Sequence, residues 1–460
     1  MKKQQQGTLT EGSILKVLTK LALPIMASSF LSTAYSITDM AWIGGLGAKA
    51  VAGVGAGGMY GWLSQGLSSM ARMGGQVYVA QYMGQGERDE ARKFAQAAMQ
   101  IVLFFGILFG AVCILFADPL VRFFGMNDPL TVGYAQIYLQ ITCGLILFSY
   151  INYTLTGLFT AQGDSATPLK ANSIGLVINM VFDPLLIMGI GPFPRMEVVG
   201  AAVATVAAQI VVTVVLVAEI VRKGARTQNI LREMRMGELL EKSYYTKVLK
   251  MGFPTGVQSS VYCLISMVLT RMVAVFGDAG VATQRVGGQI ESVTWNIADG
   301  FAAAMNAFVG QNYGARKMER VKKGYWISCI AMMLWGGLIT FVFVVFPEPI
   351  ARIFFHEEPV IEVMIGYLLV VGLSEAFMCV ELMAMGAISG MGSTKICSLI
   401  GAVLTALRIP VALLLTRTSL GLHGVWWALT VTSMLKGIVL HMTFLHVCRG
   451  KTLFFSKDGV

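Results

Sequence analysis

Charged side chains are scarce in this sequence and make up only 13% of its 460 residues. A soluble domain of ordinary composition carries roughly 25% charged residues. Hydrophobic residues account for 55% of the chain, so most of it has to be kept away from water. A lipid bilayer accepts such a protein, because lipid-facing surface must be apolar. The composition therefore excludes a soluble enzyme domain and favours a protein that spans a membrane.

The sequence also lacks the patterns of disulfide, metal and hydrolase sites. The seven cysteines contain no Cys-x-x-Cys pair, and the four histidines show no spacing typical of metal ligands. Neither His-Glu-x-x-His nor Gly-x-Ser-x-Gly occurs. We expect no catalytic residue, no cofactor and no metal other than a transported Na⁺.

Long apolar runs separated by short polar breaks indicate about twelve membrane-spanning helices, since one crossing needs about 20 apolar residues. The runs lack the alternation of a transmembrane barrel. The predicted spans are 15–43, 50–83, 93–116, 131–157, 168–191, 197–222, 246–276, 280–314, 320–346, 360–388, 395–418 and 422–448. The expected fold class is an all-α polytopic membrane protein.

The net charge of +10 is distributed unevenly over the breaks between these spans. With both termini on one side, the breaks on that side hold most of the Lys and Arg, which is the positive-inside pattern. We therefore expect an inner-membrane protein with cytoplasmic termini. Anionic lipid is the natural partner of these charges, and nucleic acid is not.

An internal repeat relates the two halves of the chain. A shift of 230 residues places Lys20 and Pro24 on Lys250 and Pro254. Chance alignment of apolar segments would match Leu and Val, not Pro, Gln and Arg. Further matched pairs are Gln81/Gln311, Gly84/Gly314, Pro119/Pro349, Arg122/Arg352 and Pro129/Pro359. The repeat predicts two parallel-related six-helix bundles, and we expect Gly84 and Gly314 to end helices.

The predicted domains are an N-terminal lobe, 1–222, a basic linker, 223–246, and a C-terminal lobe, 247–460. Apolar residues in the linker recur at helix-like intervals. The linker could be an amphipathic helix at the membrane surface or a solvated connector.

Two acidic residues within spans are the first functional candidates, because a charge inside a membrane is costly. Asp39 follows Tyr35 by one turn in the first span, and Asp183 follows Asn179 by one turn in the fifth. Two carboxylates facing one cavity could share a proton, or their oxygens could coordinate Na⁺. Alternatively, each Asp is a packing residue or pairs with Arg72 or Arg271.

A second polar set lies in other spans and is expected to contact substrate or to form ion pairs. Glu381 falls on Asn152 when the halves are shifted by 229 residues, so this position is polar in both. Glu291 is expected near the outer edge of its span. The candidate substrate-binding residues are Asn152, Trp295, Asp299, Glu375, Glu381 and Gln258.

The paired motifs VAQYMGQG and FVGQNYGA, with GLFTAQGDSATPLK and GAISGMGSTK, resemble the multidrug and toxic compound extrusion (MATE) family. The resemblance implies efflux of diverse, often cationic compounds in antiport with H⁺ or Na⁺, through two lobes around a central cavity. In its DinF-type branch, residues matching Tyr35, Asp39, Asn179 and Asp183 form the cation site.

The NorM-like branch instead uses an acid in the seventh span, which reads FPTGVQSSVYCLIS here and has none. Glu375 or Glu381 could substitute in part. The expected function is alternating-access multidrug efflux by a monomer, with drugs or toxic metabolites as partners. A lipid-linked oligosaccharide flippase of related architecture, a membrane-embedded enzyme and a passive channel are the alternatives.

Overall fold

The computed structural model describes residues 9–126, 128–227 and 229–449, and these residues are almost entirely helical. Twelve long helices account for most of the chain, joined by short turns. In chain order they are α1 Ile14–Gly44, α2 Ala48–Gln85, α3 Arg88–Leu115, α4 Pro129–Cys143 with Leu147–Ala161, α5 Ala166–Met188, α6 Glu197–Thr227, α7 Lys242–Ala274, α8 Asp278–Gly314, α9 Met318–Val345, α10 Glu358–Gly372 with Glu375–Gly390, α11 Thr394–Leu415 and α12 His423–Arg449. Short helices Ala117–Arg122 and Pro347–Phe354 precede α4 and α10.

Eight of the described helices are long and apolar enough to cross a membrane, and the bent pairs α4 and α10 bring the number to ten. The glycine-rich α2 and α8 complete the twelve, with 38 and 37 residues. Large apolar side chains such as Phe104, Ile107 and Leu115 are exposed along α3. Such surface is stable in lipid and not in water. Each of the twelve long helices overlaps one of the spans predicted from the sequence.

The bends of α4 and α10 fall at corresponding places in the two repeats. α4 turns by 44° and α10 by 45°, in each case at a short break. The α4 break follows a π-helical turn, Leu139–Cys143. A β-carbon on Gly110 would overlap the carbonyl oxygen of Gly144, so glycine lets α3 approach the backbone at this bend. The shared bend supports a duplicated architecture.

The described chain forms two compact units. Each half of the internal repeat supplies most of one unit and a short segment of the other. One unit contains Ala27–Gly256, and the other contains Leu9–Met26 with the residues after Gly256. The first part of α7 packs in the N-terminal unit, where Val248 is fully buried. A β-carbon on Gly252 would overlap the carbonyl oxygen of Met70, so small residues bring α7 against α2. The boundary between the two compact units therefore lies inside α7.

The linker forms no amphipathic helix among its described residues. After α6 the chain makes a 3₁₀ turn, Ile230–Glu233, and both Ile230 and Leu231 are buried in the core of the N-terminal unit. Gln96 of α3 donates from Nε2 to the carbonyl oxygens of Arg235 and Glu238, at 2.8 Å each. The apolar residues of the linker therefore pack against the N-terminal unit.

The segment before α1 is anchored in the C-terminal unit by the motif around Gln311. The Leu9 N–H donates to Gln311 Oε1 at 2.9 Å, and Asn312 Nδ2 donates to the Leu9 carbonyl at 3.2 Å. Arg320 donates to the Gly12 carbonyl at 2.7 Å and to that of Glu11 at 2.8 Å. This motif is therefore an anchor for the chain before α1.

α2 and α8 end at or next to the glycines at which the sequence predicted their ends. α2 ends at Gln85, and the left-handed residue that follows is Gly86, with φ +84°. After Gly314 it is Arg316, not a glycine, that adopts a positive φ of 59°. α8 therefore ends at Gly314 as expected, and α2 ends one residue after Gly84, but neither of these two glycines is the left-handed residue.

Substitution of Arg320 by leucine is expected to release the segment before α1. The variant loses charge-assisted hydrogen bonds to backbone carbonyls, each worth about 1.5–3 kcal/mol. Amide hydrogen exchange at Leu9 should become faster in Arg320→Leu. Lys322→Gln is the control, because Lys322 forms an exposed pair with Glu319 at 3.4 Å. Unchanged protection at Leu9 in Arg320→Leu would contradict the anchoring role.

Candidate functional site

Asn179 and Asp183 form a buried polar pair on α5. Asp183 is 0% exposed and Asn179 is 1% exposed. With the amide oriented to satisfy both of its neighbours, Asn179 Nδ2 donates to Asp183 Oδ2 at 2.8 Å, and its oxygen accepts the Thr205 N–H at 3.3 Å. Pro184 follows within the helix and cannot donate to the backbone carbonyl one turn earlier. The two polar residues predicted to share a helix face do so.

Asp39 on α1 approaches this pair from a different helix. It is half-buried, and its Oδ1 atom is buried with no hydrogen-bond partner in the described part of the chain. It lies close enough to Asp183 for the two carboxylates to interact electrostatically. The backbone of Tyr35 lies in α1 one turn earlier, and its side chain is outside the described residues.

Neither carboxylate has a basic partner among the described residues. The Arg72 guanidinium stacks over the ring of Tyr153, with 4.2 Å between Cζ and the ring centroid. Arg271 is exposed on α7. A buried carboxylate next to a half-buried one is costly when neither has a basic partner. A proton or a cation relieves that cost, so the arrangement can take up either.

Thr205 is a neighbour of the site that sequence reasoning missed. Its backbone N–H holds the Asn179 amide. A signal was present, because Thr205, Gln209 and Thr213 recur every four residues in the otherwise apolar stretch 198–218 of α6. That interval places the three polar side chains on one helix face.

Asn152 lies nearby and is hydrogen-bonded to α6 within the N-terminal unit. Its Nδ2 donates to the carbonyl and to Oε1 of Gln209, at 2.9 Å each, and its Oδ1 accepts from the Thr213 hydroxyl at 2.8 Å. The side chain is 5% exposed. These bonds brace α4 against α6.

The C-terminal unit holds a buried ion pair at the corresponding position. Lys436 Nζ of α12 lies 2.8 Å from Glu381 Oε1 of α10, and both side chains are almost completely buried. Arg408 donates to the hydroxyls of Thr432 and Ser433 at 3.2 and 3.0 Å. Glu381 and Lys436 therefore connect α10 to α12, as Asn152 and Gln209 connect α4 to α6.

Two further carboxylates of this unit have no salt-bridge partner in the described chain. Glu375 is 1% exposed, and its Oε2 atom has no hydrogen-bond partner there. Glu291 accepts a hydrogen bond from the Tyr367 hydroxyl and interacts electrostatically with Glu375. Glu291 thus takes part in a polar cluster with Tyr367 and Glu375.

The remaining substrate-binding candidates lie on α7 and α8. Trp295 is exposed on α8, and Asp299 is half-buried one turn later. Gln258 of α7 packs against Gly401 of α11, where a β-carbon would overlap its amide nitrogen. Among the described residues, no three His, Cys, Asp or Glu side chains form a metal-binding group. All seven cysteines are free thiols.

The sequence and the fold of this chain are similar to those of known transporters. The family model described as MatE matches twice, over residues 24–185 and 254–414, once in each half. A probable multidrug resistance protein NorM from Thermotoga maritima is 28% identical, over 97% of this chain and 96% of its own length. An FAD transporter from Shewanella oneidensis is 24% identical, over 97% of both chains.

Solved structures share the fold at lower identity. A MOP superfamily transporter from Pyrococcus furiosus has a TM-score of 0.89 and 21% identity, over 98% of this chain and 99% of that one. A structure described as MATE in the straight conformation has a TM-score of 0.88 and 21% identity, over 96% and 98%. The predicted twelve-helix fold is confirmed. This chain belongs to the MatE family and is a membrane transporter, not an enzyme.

Proposed function

We propose that this protein is a secondary active antiporter that exports diverse organic compounds, many of them cationic and amphipathic, in exchange for H⁺ or Na⁺. The observation that carries the proposal is the pair Asp39 and Asp183, two interacting carboxylates without a basic partner in the described chain. Efflux of several drugs is supported by relatives named multidrug resistance proteins.

Cation binding would change the charge of this site and so favour one conformation of the transporter over another. A ligand shifts such an equilibrium only by its difference in affinity between two states. A conformation that keeps the carboxylates dry requires the proton or cation, and a hydrated conformation releases it. Alternating access coupled to export follows, since drug and cation would then favour opposite states.

The oxygen atoms of the site suit either coupling ion. Carboxylate oxygens are preferred ligands of hard cations, and a carboxylate also accepts a proton. Asn179 presents its amide N–H to Asp183 and so stabilises the charged carboxylate. Asp39 and Asp183 would supply the negative charge that binds the coupling ion, and Asn179 and Tyr35 would position these carboxylates.

A lipid-linked oligosaccharide flippase is less well supported. Recognition of a pyrophosphate requires available cationic groups. Three of the four basic residues weighed within the spans are engaged: Lys436 by Glu381, Arg408 by Thr432 and Ser433, and Arg72 by Tyr153. The fourth, Arg271, is exposed, and one cation is a poor match for a pyrophosphate. Of the substrate-binding candidates, Trp295 and Asp299 remain proposed contacts, whereas Asn152 and Glu381 are better explained as braces. Glu375 and Gln258 remain proposed polar contacts of the C-terminal unit.

We further propose an inner-membrane monomer with both termini in the cytoplasm, embedded among anionic lipids through its basic loops. The concentration of Lys and Arg on that side supports this orientation.

Transport by purified protein in lipid vesicles tests the proposal directly. A sodium gradient and a pH gradient are imposed separately, and the movement of a cationic dye is followed. We expect dye accumulation against its gradient with at least one of the two ions and none without a gradient. Dye equilibration without any gradient, with ion currents, would instead indicate a channel. Unlabelled FAD is tested as a competitor, because one relative is named an FAD transporter.

A further inference from the structure

Two helices of the C-terminal unit meet at its surface in the α9/α12 seam, which consists of Lys322, Tyr325 and Trp326 of α9 with His441 and Phe444 of α12. Tyr325 is fully buried and stacks on Phe444, with 3.7 Å between the ring centroids. His441 contacts both Tyr325 and Trp326, at centroid distances of 5.7 and 5.3 Å. Trp326 is 46% exposed. The seam therefore has a dry aromatic floor and an open side.

His441 and Trp326 present hydrogen-bond donors at the open side of the seam. The Nδ1 atom of His441 lies 2.7 Å from the Tyr325 hydroxyl. We assign this hydroxyl as the donor, which places the proton of a neutral imidazole on Nε2. Within the described chain, neither Nε2 of His441 nor the indole N–H of Trp326 has a hydrogen-bond partner. Because an unpaired polar group is costly in an apolar medium, both donors require acceptors from outside the chain.

The two donors lie at the depth where a phospholipid carries its ester groups. Trp326 follows the start of α9 at Met318 by eight residues, and His441 precedes the end of α12 at Arg449 by eight residues. Both are therefore about 12 Å from the ends of their helices on the same side of the membrane. Tryptophan is enriched at this level, where the apolar core of a bilayer meets its headgroups. Ester carbonyl oxygens lie there and accept hydrogen bonds.

Lys322 supplies a positive charge nearer to the membrane surface. It precedes Trp326 by one turn on the same face of α9. It also interacts electrostatically with Cys448 of α12, so it lies at the seam between the two helices. Its ammonium group is 3.4 Å from Glu319 in an exposed pair. Such a pair is weak, so an anionic headgroup can compete for the ammonium group.

Apolar side chains continue the seam towards the middle of the membrane. Ile330 and Met333 are exposed on α9, and Leu435 and Ile438 are exposed on α12. In a bilayer such surface contacts acyl chains. From the surface inwards, the seam thus offers a cation, two N–H donors and an apolar track. A phospholipid has its phosphate, its esters and its acyl chains in the same order.

We propose that the α9/α12 seam binds one anionic phospholipid from the leaflet at which α9 begins, the cytoplasmic leaflet in the proposed orientation. The Lys322 ammonium group binds the phosphate, and the His441 and Trp326 N–H groups donate to ester carbonyls. A zwitterionic lipid is disfavoured, because its headgroup carries a cation that the lysine repels. This defined site differs from a general attraction of basic loops to lipid, and it does not depend on the proposed antiport.

Quenching of Trp326 fluorescence by brominated lipids tests the site. Purified protein is placed in phosphatidylcholine bilayers that contain increasing proportions of phosphatidylglycerol brominated in its acyl chains, and in a matched series with brominated phosphatidylcholine. The sequence has seven tryptophans, so the signal of Trp326 is the difference between each protein and the same protein with Trp326→Phe. We expect phosphatidylglycerol to bind beside Trp326 about fivefold more tightly than phosphatidylcholine, the factor that one lysine near an anionic lipid supplies.

Two variants separate this site from a general attraction to anionic membranes. Lys322→Gln should bring the binding of the two lipids close to equality. Lys323→Gln is the matched control, because Lys323 is exposed about 100° further around α9 and should leave the preference intact. His441→Phe keeps a ring beside Tyr325 and removes the N–H donor, so it should weaken the binding of both lipids. The melting temperature of each variant, measured in phosphatidylcholine, establishes that it is folded.

Several results would overturn the proposal. Equal binding of the two lipids by the parent protein, or an equal loss of preference in Lys322→Gln and Lys323→Gln, would show that there is no defined anionic-lipid site. A Trp326 signal that neither brominated lipid quenches would show that protein, such as a second copy of the chain, covers the seam. Inorganic phosphate added to phosphatidylcholine bilayers should leave the signal unchanged, and a phosphate-dependent change would indicate a site for the free ion instead.

Discussion

Replacement of Asp183 by asparagine is expected to abolish gradient-driven efflux while the protein still folds. The change keeps the shape of the side chain and removes its negative charge, so the site no longer gains from a proton or cation. A coupling free energy of about 1–3 kcal/mol changes the affinity of one ligand for the other's state by a factor of roughly 5–150. The rate of efflux should fall by a factor near the upper end of that range. The vesicle assay with a cationic dye measures the loss.

Stability should not fall in Asp183→Asn, because a neutral amide costs less to bury than a carboxylate. The new side chain can still accept the hydrogen bond that Asn179 donates. Asp39→Asn should lose efflux as well, since the two carboxylates interact. Asp118→Asn is the matched control, because Asp118 lies on a short surface helix where it pairs with Arg122, and this variant should keep full efflux. Full efflux in Asp183→Asn would rule out its role in coupling.

The second large effect is expected at the buried ion pair of the C-terminal unit. Glu381→Gln leaves the Lys436 ammonium buried without its counter-charge, and removal of one partner of a buried pair costs about 3–5 kcal/mol. Thermal unfolding of the purified protein should show this as a markedly lower melting temperature. Lys436→Met should destabilise as well, because it isolates Glu381.

A double variant separates a bracing role from a substrate-binding role. Glu381→Met with Lys436→Met removes both charges and should regain most of the lost stability, as paired charges are often replaceable by apolar residues. Glu238→Gln is the control, because the Arg235 and Glu238 pair is exposed at 3.1 Å and such pairs contribute at most about 1 kcal/mol. A stable Glu381→Gln protein that had lost affinity for substrate would favour substrate contact instead.

The fold was predictable because a membrane leaves few choices. Every backbone polar group in lipid must be satisfied, so long apolar runs have to be helices. Matched proline, glutamine and arginine residues then revealed the duplication without any knowledge of packing. The unit boundary was not predictable in this way. It lies within α7, where Gly252 lets the backbone of α7 approach that of α2, and such a contact leaves no mark in hydropathy.

The linker shows a similar limit. Ile230 and Leu231 have the same apolar character whether they face lipid or protein, and only the structure shows that they are buried in the N-terminal unit. Local sequence spacing therefore cannot distinguish a surface helix from a docked turn.

At the candidate site, contacts within one helix could be predicted from the sequence, and contacts between residues far apart in the chain could not. Asn179 and Asp183 lie one turn apart, so their hydrogen bond follows from helix geometry. Glu381 and Lys436 are 55 residues apart, and their pairing depends on how α10 packs against α12. For the same reason, the hydrogen bonds that Asn152 makes to Gln209 and Thr213 could not be predicted from the sequence.

Release of the coupling ion when drug is added to the purified transporter tests the exchange most directly. Drug and cation that favour opposite states must each displace the other, by thermodynamic reciprocity. In a weakly buffered sample, or one loaded with radioactive sodium, drug should release H⁺ or Na⁺ from the parent protein and neither ion from Asp39→Asn or Asp183→Asn. Equal release from all three proteins would show that the exchanged ion is held elsewhere.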